Sequence, residues 1–120
     1  MHNEQRAVWE RYVASWRAES AEERRTLFEA TLARDCVYSD PLTRTQGWDA
    51  LEAYMLEFHR QIPGGHFVTE YFSAHHGQSI AKWKMIGPSA MPLGEGISYG
   101  KYDEGNRLVS MTGFFETPTS

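Results

Sequence analysis

The stretch VYSDPLTRTQG, residues 37–47, places a carboxylate where a short apolar run meets a proline. An aspartate before a proline is typical of a turn, because the residue before proline is pushed towards extended geometry and an Asp side chain can accept backbone hydrogen bonds. If Asp40 faced a pocket instead, it could act as a general base. Both interpretations are open, and a polar loop ending at Gly47 is expected after Pro41.

Other side chains could complement such a base. Tyr12 and Tyr54, both in helical patterns, could donate a phenol hydrogen to a developing oxyanion, or could be core residues with the hydroxyl at the rim. Ser98 alternates with Gly96 and Gly100 along a predicted strand. If these three small residues face inwards they leave empty volume for a ligand, whereas the alternative is a glycine-weakened or bulged strand.

The sequence contains no motif for metal binding, for a serine nucleophile or for phosphate binding. The five histidines, among them His66 at the start of a predicted strand and within reach of a cavity mouth, make no HxH or HExxH spacing for a metal. No serine lies in a GxSxG motif, and neither glycine-rich stretch is a phosphate-binding loop. The single cysteine, Cys36, is expected to be buried rather than a reactive thiol. We therefore expect neither a metal nor another cofactor.

Periodicity predicts the elements that must position these side chains. The helices are predicted at about residues 3–18, 21–33 and 48–62. In the first, apolar residues from Trp9 to Trp16 recur at i, i+3, i+4 and i+7. Ser20 and Glu23 form a capping box at the start of the second, and the sequence PGG stops the third.

From residue 66 the pattern changes to that of an antiparallel meander. The strands are predicted at residues 66–74, 78–87, 96–103 and 107–116, after a short strand at 35–40. Trp83 and Met85 alternate with Lys82 and Lys84, so one face is apolar and the other meets water. Three helices segregated to one side of such a sheet make an α+β domain.

The composition favours one domain spanning residues 1–120. Hydrophobic residues make up 41% of the chain, enough for a core, and the net charge of −4 argues against nucleic acid as the main partner. No apolar signal sequence and no run of 18 apolar residues is visible. We expect a cytoplasmic protein that does not interact with membranes.

Four segments, taken together in this order, resemble the nuclear transport factor 2-like superfamily, which includes the SnoaL-like polyketide cyclases and the ketosteroid isomerases. They are ERYVASW, LARDCVYSDP with a later glycine, AKWKM and YDEGNRLVSMTGFFE. The resemblance implies a cone-shaped α+β barrel, in which three N-terminal helices pack in the concave face of a curved, mostly antiparallel sheet. It also implies a deep pocket between helices and sheet, and a homodimer formed through the sheet.

The match to ketosteroid isomerases is partial. Their general base is an aspartate directly before a proline, which implies that role for Asp40, and their oxyanion-binding tyrosine lies in an RY pair, which implies it for Tyr12. Their second oxyanion donor is an aspartate, and the corresponding position here is Ser98. Steroid isomerisation itself is therefore not expected.

These observations predict a cofactor-independent acid/base enzyme of the isomerase, cyclase or hydrolase type, acting on a small, largely apolar metabolite with a carbonyl or hydroxyl group. Asp40 would take or relay a proton, and Tyr12 would stabilise the enolate. A non-catalytic ligand-binding or accessory module of the same fold is the alternative. The expected pocket residues are Trp16, Tyr54, Phe58, His66, Trp83, Met85, Ser98, Met111 and Phe115.

Overall fold

Three α-helices and six β-strands build residues 2–116, the part of the chain that this computed structural model describes. The helices are α1 (His2–Ser15), α2 (Ala21–Thr31) and α3 (Trp48–Gln61). The strands are β1 (Leu32–Asp40), β2 (Thr43–Gln46), β3 (His66–His75), β4 (Gln78–Ile86), β5 (Pro92–Tyr102) and β6 (Leu108–Phe114). The predicted α+β class is confirmed.

The strands form one curved sheet in the order β2-β1-β6-β5-β4-β3. All neighbours are antiparallel except β1 and β6, which run parallel and place Tyr38 opposite Met111 and Ser39 opposite Thr112. The edge strands β2 and β3 do not pair with each other, so the sheet is mixed and unclosed. The parallel pair brings the end of β1 beside the last strand, and this pairing positions the site described below.

Strand β2 occupies the segment that we predicted as a polar loop, so that prediction was wrong. Asp40 pairs with Thr43, which leaves Pro41 and Leu42 as the two-residue turn of a β-hairpin. The sequence TRTQ has no apolar alternation because β2 lies at the edge of the sheet, where its backbone bonds to β1 on one side only. Hydrophobic periodicity cannot reveal a strand of this kind.

Local sequence signals define the starts of the second and third helices. The predicted cap of α2 is confirmed, since the Ser20 hydroxyl accepts a hydrogen bond from the Glu23 amide at 3.0 Å. Before α3, Gly47 adopts a positive φ of 85°, which glycine tolerates, and its N–H donates to the Cys36 carbonyl at 2.8 Å. The bond fastens the start of α3 to β1.

Helix α1 ends at Ser15, three residues earlier than predicted. The amides of Trp16 and Arg17 donate to the carbonyls of Val13 and Ala14 at 3.1 and 2.9 Å, which is the i→i−3 spacing of a tightened last turn. Trp16 is nevertheless buried, because its indole packs edge-on against rings of α3 and β3.

A continuous apolar core lies between the helices and the inner face of the sheet. Its fully buried members include Phe28, Leu32, Leu51, Met55, Leu108 and Met111. The predicted burial of Cys36 is confirmed: its side chain is buried, and burial, with the nearby Asp35 charge acting in the same direction, raises its pKa to about 11. A thiol with this pKa is a poor nucleophile at neutral pH.

The small residues of β5 do not leave the empty volume that we predicted over Gly96 and Gly100. A Cβ atom on Gly96 would overlap the indole of Trp83, and one on Gly100 would lie 2.9 Å from a methyl group of Leu108 and 3.4 Å from the Trp9 ring. These glycines accommodate large neighbouring side chains on the inner face of the sheet, so the space beside them is filled.

The outer face of the sheet carries exposed apolar side chains. Tyr99, which projects opposite to Ser98, is 37% exposed, and Ile97 on the same strand is 39% exposed. Ile80 and Phe114 on the neighbouring strands are 43% and 60% exposed. None of the described helices is long and apolar enough to cross a bilayer.

Candidate functional site

A cavity of about 310 Å³ lies between the inner face of the sheet, α1 and α3. Most of the predicted site residues line it: Asp40, Tyr12, Trp16, Tyr54, Phe58, Trp83, Met85, Ser98 and Phe115. Its volume is at the small end of the range of ligand pockets in proteins.

The two oxygen atoms of Asp40 have different surroundings. Oδ1 accepts hydrogen bonds from the amides of Leu42 and Thr43 at 2.8 and 3.1 Å, which is the turn interaction typical of an aspartate before this kind of loop. Oδ2 accepts from the hydroxyls of Tyr38 and Tyr54 at 2.6 and 2.9 Å. Asp40 therefore holds the β1–β2 turn with one oxygen and presents the other to tyrosines that line the cavity.

Tyr38 is a site residue that the sequence interpretation missed. It lies two residues before Asp40 on β1, so both side chains project from the same face of the strand. That spacing is visible in the sequence, whereas the resemblance to ketosteroid isomerases implied Tyr12 as the hydroxyl donor. Tyr54 was predicted as a pocket residue, and α3 brings its hydroxyl to the same carboxylate oxygen.

Both tyrosines that contact Asp40 are held as neutral donors. Burial is the main reason that the pKa of Tyr38 is raised well above its usual range, and the neighbouring Tyr12 and the hydrogen bond to Asp40 act in the same direction. Burial and the bond to Asp40 likewise raise the pKa of Tyr54. A phenol that donates to a carboxylate loses that bond when it ionises, so the bond to Asp40 raises both pKa values in the same direction as burial.

Tyr12 is buried on α1 and lines the same cavity. Burial raises its pKa far above the ordinary value, and the negative charge of Asp40 acts in the same direction. The phenol is therefore neutral at physiological pH and can donate a hydrogen bond to an oxygen atom in the cavity.

Ser98 lies on the inner face of β5 beside Asp40. Its Oγ accepts a hydrogen bond from the Trp83 indole N–H at 2.9 Å, which leaves the serine hydrogen able to donate to a ligand. A Cβ atom on Gly113 of β6 would lie 3.6 Å from Asp40 Cβ and 3.8 Å from both Ser98 Oγ and the Tyr38 hydroxyl. Gly113 thus marks the point where three polar side chains converge, and sequence patterns had not identified it.

Aromatic rings form most of the apolar wall. Trp16 packs against Tyr38, Tyr54, Phe58 and Phe67 with ring centroids 5.5–6.0 Å apart. Further contacts at 5.1 and 6.2 Å continue the wall from β3 through Trp83 to the end of β6. These mutually supporting contacts restrict the movement of the rings and preform the cavity.

Two predicted pocket residues do not line this cavity. Met111 is buried in the core beside β1 and β5, where the parallel β1–β6 pairing places it under the helices. His66 lies at the start of the edge strand β3 and lines a separate, more polar depression of about 720 Å³. Phe67, the next residue along β3, lines the cavity instead. Among the side chains of residues 4–116, no group of three His, Cys, Asp or Glu could hold a metal ion.

The fold and the site define a small α+β protein with a preformed aromatic cavity, in which the Asp40 carboxylate is bonded to two tyrosine hydroxyls and further hydroxyl donors line the wall. The family model of the SnoaL-like domain matches residues 9–116, and the chain therefore belongs to the SnoaL-like domain family. Comparison with curated protein sequences finds no match.

Solved structures share this fold at low sequence identity. A SnoaL-like family protein from Agrobacterium tumefaciens, proposed as an isomerase, superposes with a TM-score of 0.87 at 23% identity, over 96% of this chain and 99% of its own. A proposed SnoaL-like polyketide cyclase from Jannaschia gives 0.78 at 12% identity, over 96% and 87%. A protein of ketosteroid isomerase-like fold from Catenulispora acidiphila, in complex with trimethylamine, gives 0.75 at 12%, over 91% and 85%.

Proposed function

We propose that this protein is a cofactor-independent acid/base enzyme acting on a small, largely apolar molecule that carries a carbonyl or hydroxyl group. The observation that carries the proposal is the position of Asp40 Oδ2, which lies at the cavity between Tyr38 and Tyr54 while Oδ1 is held by the turn. The turn fixes the orientation of the carboxylate through Oδ1, and Oδ2, which the two tyrosine hydroxyls also contact, is the oxygen that a substrate would approach.

The proposed step is proton transfer next to a carbonyl group. The hydrogen on the carbon beside the carbonyl moves as a proton to Asp40 Oδ2, and the electron pair of that C–H bond moves towards the carbonyl oxygen. The hydroxyls of Tyr12 and Ser98, which can each donate, stabilise the negative charge that develops there. Return of the proton from Asp40 to another carbon gives isomerisation. Attack of the enolate carbon on a second carbonyl of the same molecule, whose oxygen takes the proton back from Asp40, gives cyclisation. In hydrolysis, Asp40 takes a proton from a water whose oxygen bonds to the carbonyl carbon, and the leaving group departs with that proton.

A non-catalytic binding module is the second candidate. Each oxygen of Asp40 already accepts two hydrogen bonds, which is the satisfied condition of a structural aspartate. Ser98 also stands where isomerases of this fold are expected to carry an acid. The Catenulispora acidiphila protein is a complex with trimethylamine, and this chain would likewise hold a small organic molecule without transforming it.

Substitution of Asp40 separates the two candidates. Asp40→Asn keeps an oxygen for the Leu42 and Thr43 amides but removes the proton acceptor, so the catalytic proposal predicts loss of turnover by about 10²- to 10⁴-fold. Tyr12→Phe should weaken binding of phenols that mimic an enolate, because it removes a donor aimed at the oxyanion. Binding of planar phenols and ketones, measured with thermal melts of each variant, provides the first readout.

A purely structural role of Asp40 predicts a different outcome for the same variants. If Asp40 serves only the turn, Asp40→Asn is nearly silent and Asp40→Ala lowers the melting temperature, because alanine supplies no acceptor for either amide. Glu104→Gln, in the exposed turn after β5, changes the net charge by the same amount as Asp40→Asn and is the matched control. Failure of every phenol and ketone to bind the parent protein would also refute the catalytic proposal.

We also propose that two copies of the chain pair through the outer face of the sheet. The exposed apolar side chains of Ile80, Ile97, Tyr99 and Phe114 lie together on β4, β5 and β6. Monomeric proteins rarely leave a contiguous patch of this kind in water, and a two-fold interface covers it on both subunits at once.

A further inference from the structure

The charges around the cavity all have one sign. The acidic residues that line it are Asp40, Glu57, Glu95 and Glu116, and none of the described lining residues is Lys, Arg or His. Among the side chains of residues 4–116, ion pairs within 4.0 Å involve only Glu57 of these four, which contacts Arg60 at 2.6 Å. None of the 12 Lys and Arg residues of the chain lines the cavity. An anionic ligand would lose its water there without gaining a cationic partner.

The aromatic wall of the cavity favours a cation. The rings that line the cavity are those of Trp9, Tyr12, Trp16, Tyr38, Tyr54, Phe58, Phe67, Trp83 and Phe115. The face of an aromatic ring attracts a cation, most strongly where water is excluded. The arginines that lie over a ring in the described chain contact Phe72 or Trp48, and neither of these lines the cavity. The ring faces in the cavity are thus not used by a cation of the protein itself.

A carboxylate lies within this aromatic wall. Asp40 Oδ2 bonds to the hydroxyls of Tyr38 and Tyr54, whose rings pack against Trp16 at 5.5 and 6.0 Å. A fixed negative charge beside aromatic faces favours a cation that also has apolar surface. Small inorganic cations do not meet this description, because they prefer several oxygen ligands at once.

We propose that the cavity binds an organic ammonium ion, so that the ligand carries a protonated or quaternary amine on its apolar body. The inference deepens the proposed function and rests on it for the use of this cavity as the ligand site. The amine contacts the aromatic wall and the Asp40 side of the cavity, and the same molecule can carry the carbonyl or hydroxyl group.

Three probes of nearly equal shape test the charge preference. Choline carries a quaternary nitrogen, 3,3-dimethyl-1-butanol replaces that nitrogen by carbon, and 3,3-dimethylbutanoate adds a negative charge to the same neutral body. Titration followed by NMR of the indole N–H groups gives the three dissociation constants. We expect choline to bind at least about tenfold more tightly than the neutral alcohol, and the carboxylate to bind most weakly.

Two substitutions assign the preference to this site. Phe67→Leu keeps an apolar wall but removes an aromatic face, and Asp40→Asn removes the charge. Each should reduce the ratio of the affinity for choline to the affinity for the neutral alcohol by about three- to tenfold. Glu104→Gln, with the same change of net charge as Asp40→Asn, should leave this affinity ratio unchanged. Phe67→Leu keeps the test available if Asp40→Asn fails to fold.

Equal binding of choline and the alcohol, stronger binding of the carboxylate, or no binding of any probe would overturn the inference. Equal binding alone leaves the acid/base proposal standing, provided that phenols and ketones bind and respond to Asp40→Asn. A choline preference in a protein whose Asp40→Asn variant keeps full turnover would support the inference while refuting Asp40 as a base.

Discussion

Glycine-to-alanine substitutions at two neighbouring points on the inner face of the sheet should have different effects: one should weaken ligand binding, and the other should lower stability. At Gly113 an added Cβ would meet Asp40, Ser98 and Tyr38 at 3.6–3.8 Å, which is ordinary van der Waals contact. At Gly96 it would lie 2.6 Å from both Cη2 of Trp83 and the Phe114 carbonyl oxygen, which is far too close.

The sizes of the expected effects on ligand affinity and on stability follow from these two contacts. Gly113→Ala should leave the free energy of unfolding nearly unchanged, but its methyl group takes a volume comparable with the about 30 Å³ share of a water molecule, roughly a tenth of the cavity. It occupies the point where the polar groups converge, so ligand affinity should fall by about tenfold or more. Gly96→Ala forces Trp83 or the backbone to move, which should cost about 1–3 kcal/mol of stability.

Thermal melts and probe binding measured on both variants check this prediction. A loss of 1 kcal/mol lowers Tm by roughly 3–5 °C in a domain of this size, so Gly96→Ala should melt at least about 3 °C below the parent. Gly105→Ala, in the exposed β5–β6 turn with its nearest atoms at 3.5 and 3.8 Å, is the control and should match the parent in both assays. Parent-like binding by Gly113→Ala would refute the assignment of the cavity as the ligand site. A parent-like melt of Gly96→Ala would refute the packing argument.

The remaining predictions concern the carboxylate, the assembly and the thiol. Tyr38→Phe should lower the free energy of unfolding by about 1–3 kcal/mol, because it removes a buried hydrogen bond to a charged group. Tyr54→Phe should cost less stability, because water can reach its half-buried position. Urea titration of both variants checks which of the two loses more stability. Light scattering at micromolar concentration should give twice the chain mass, and Phe114→Lys should give the monomer; a monomeric parent would refute the proposed dimer. Because the pKa of Cys36 is raised from 9.0 to about 11, its contribution to stability is fully present below pH 9 and is lost as pH rises through 11. The free energy of unfolding should therefore fall over this range, less steeply in Cys36→Ala, and equal slopes for the two proteins would contradict the assignment.

Periodicity and turn chemistry were enough to predict the helices and five of the six strands, although β1 and β5 begin three and four residues earlier than predicted. Apolar residues at helical spacing from Trp9 to Trp16 bury the face that was predicted, and the Ser20 cap forms the expected bond. These features depend on residues within one or two turns of each other, so the local sequence carries the whole signal. Strand β2 escaped prediction because an edge strand with polar side chains is held by its partner's backbone.

The candidate site, like the fold, could be predicted from the sequence only in part. The sequence alone marked Asp40 as a residue that could serve a turn or a pocket, and placed Tyr12, Tyr54 and Trp83 on inward faces. It could not show that the Asp40 oxygens serve both roles at once, because the second pair of donors comes partly from α3, and their convergence depends on how helix and strand pack.

Only the tertiary structure decided which inward residues line the cavity and which fill the core. Gly113 meets Asp40 because β6 runs parallel to β1, a pairing between segments about 70 residues apart that no local pattern encodes. The same pairing buries Met111, while the edge position of β3 turns His66 to a separate depression. Alternation along a strand determines which face a side chain occupies. Whether the space beside that face stays empty depends on which side chains, distant in sequence, pack against it.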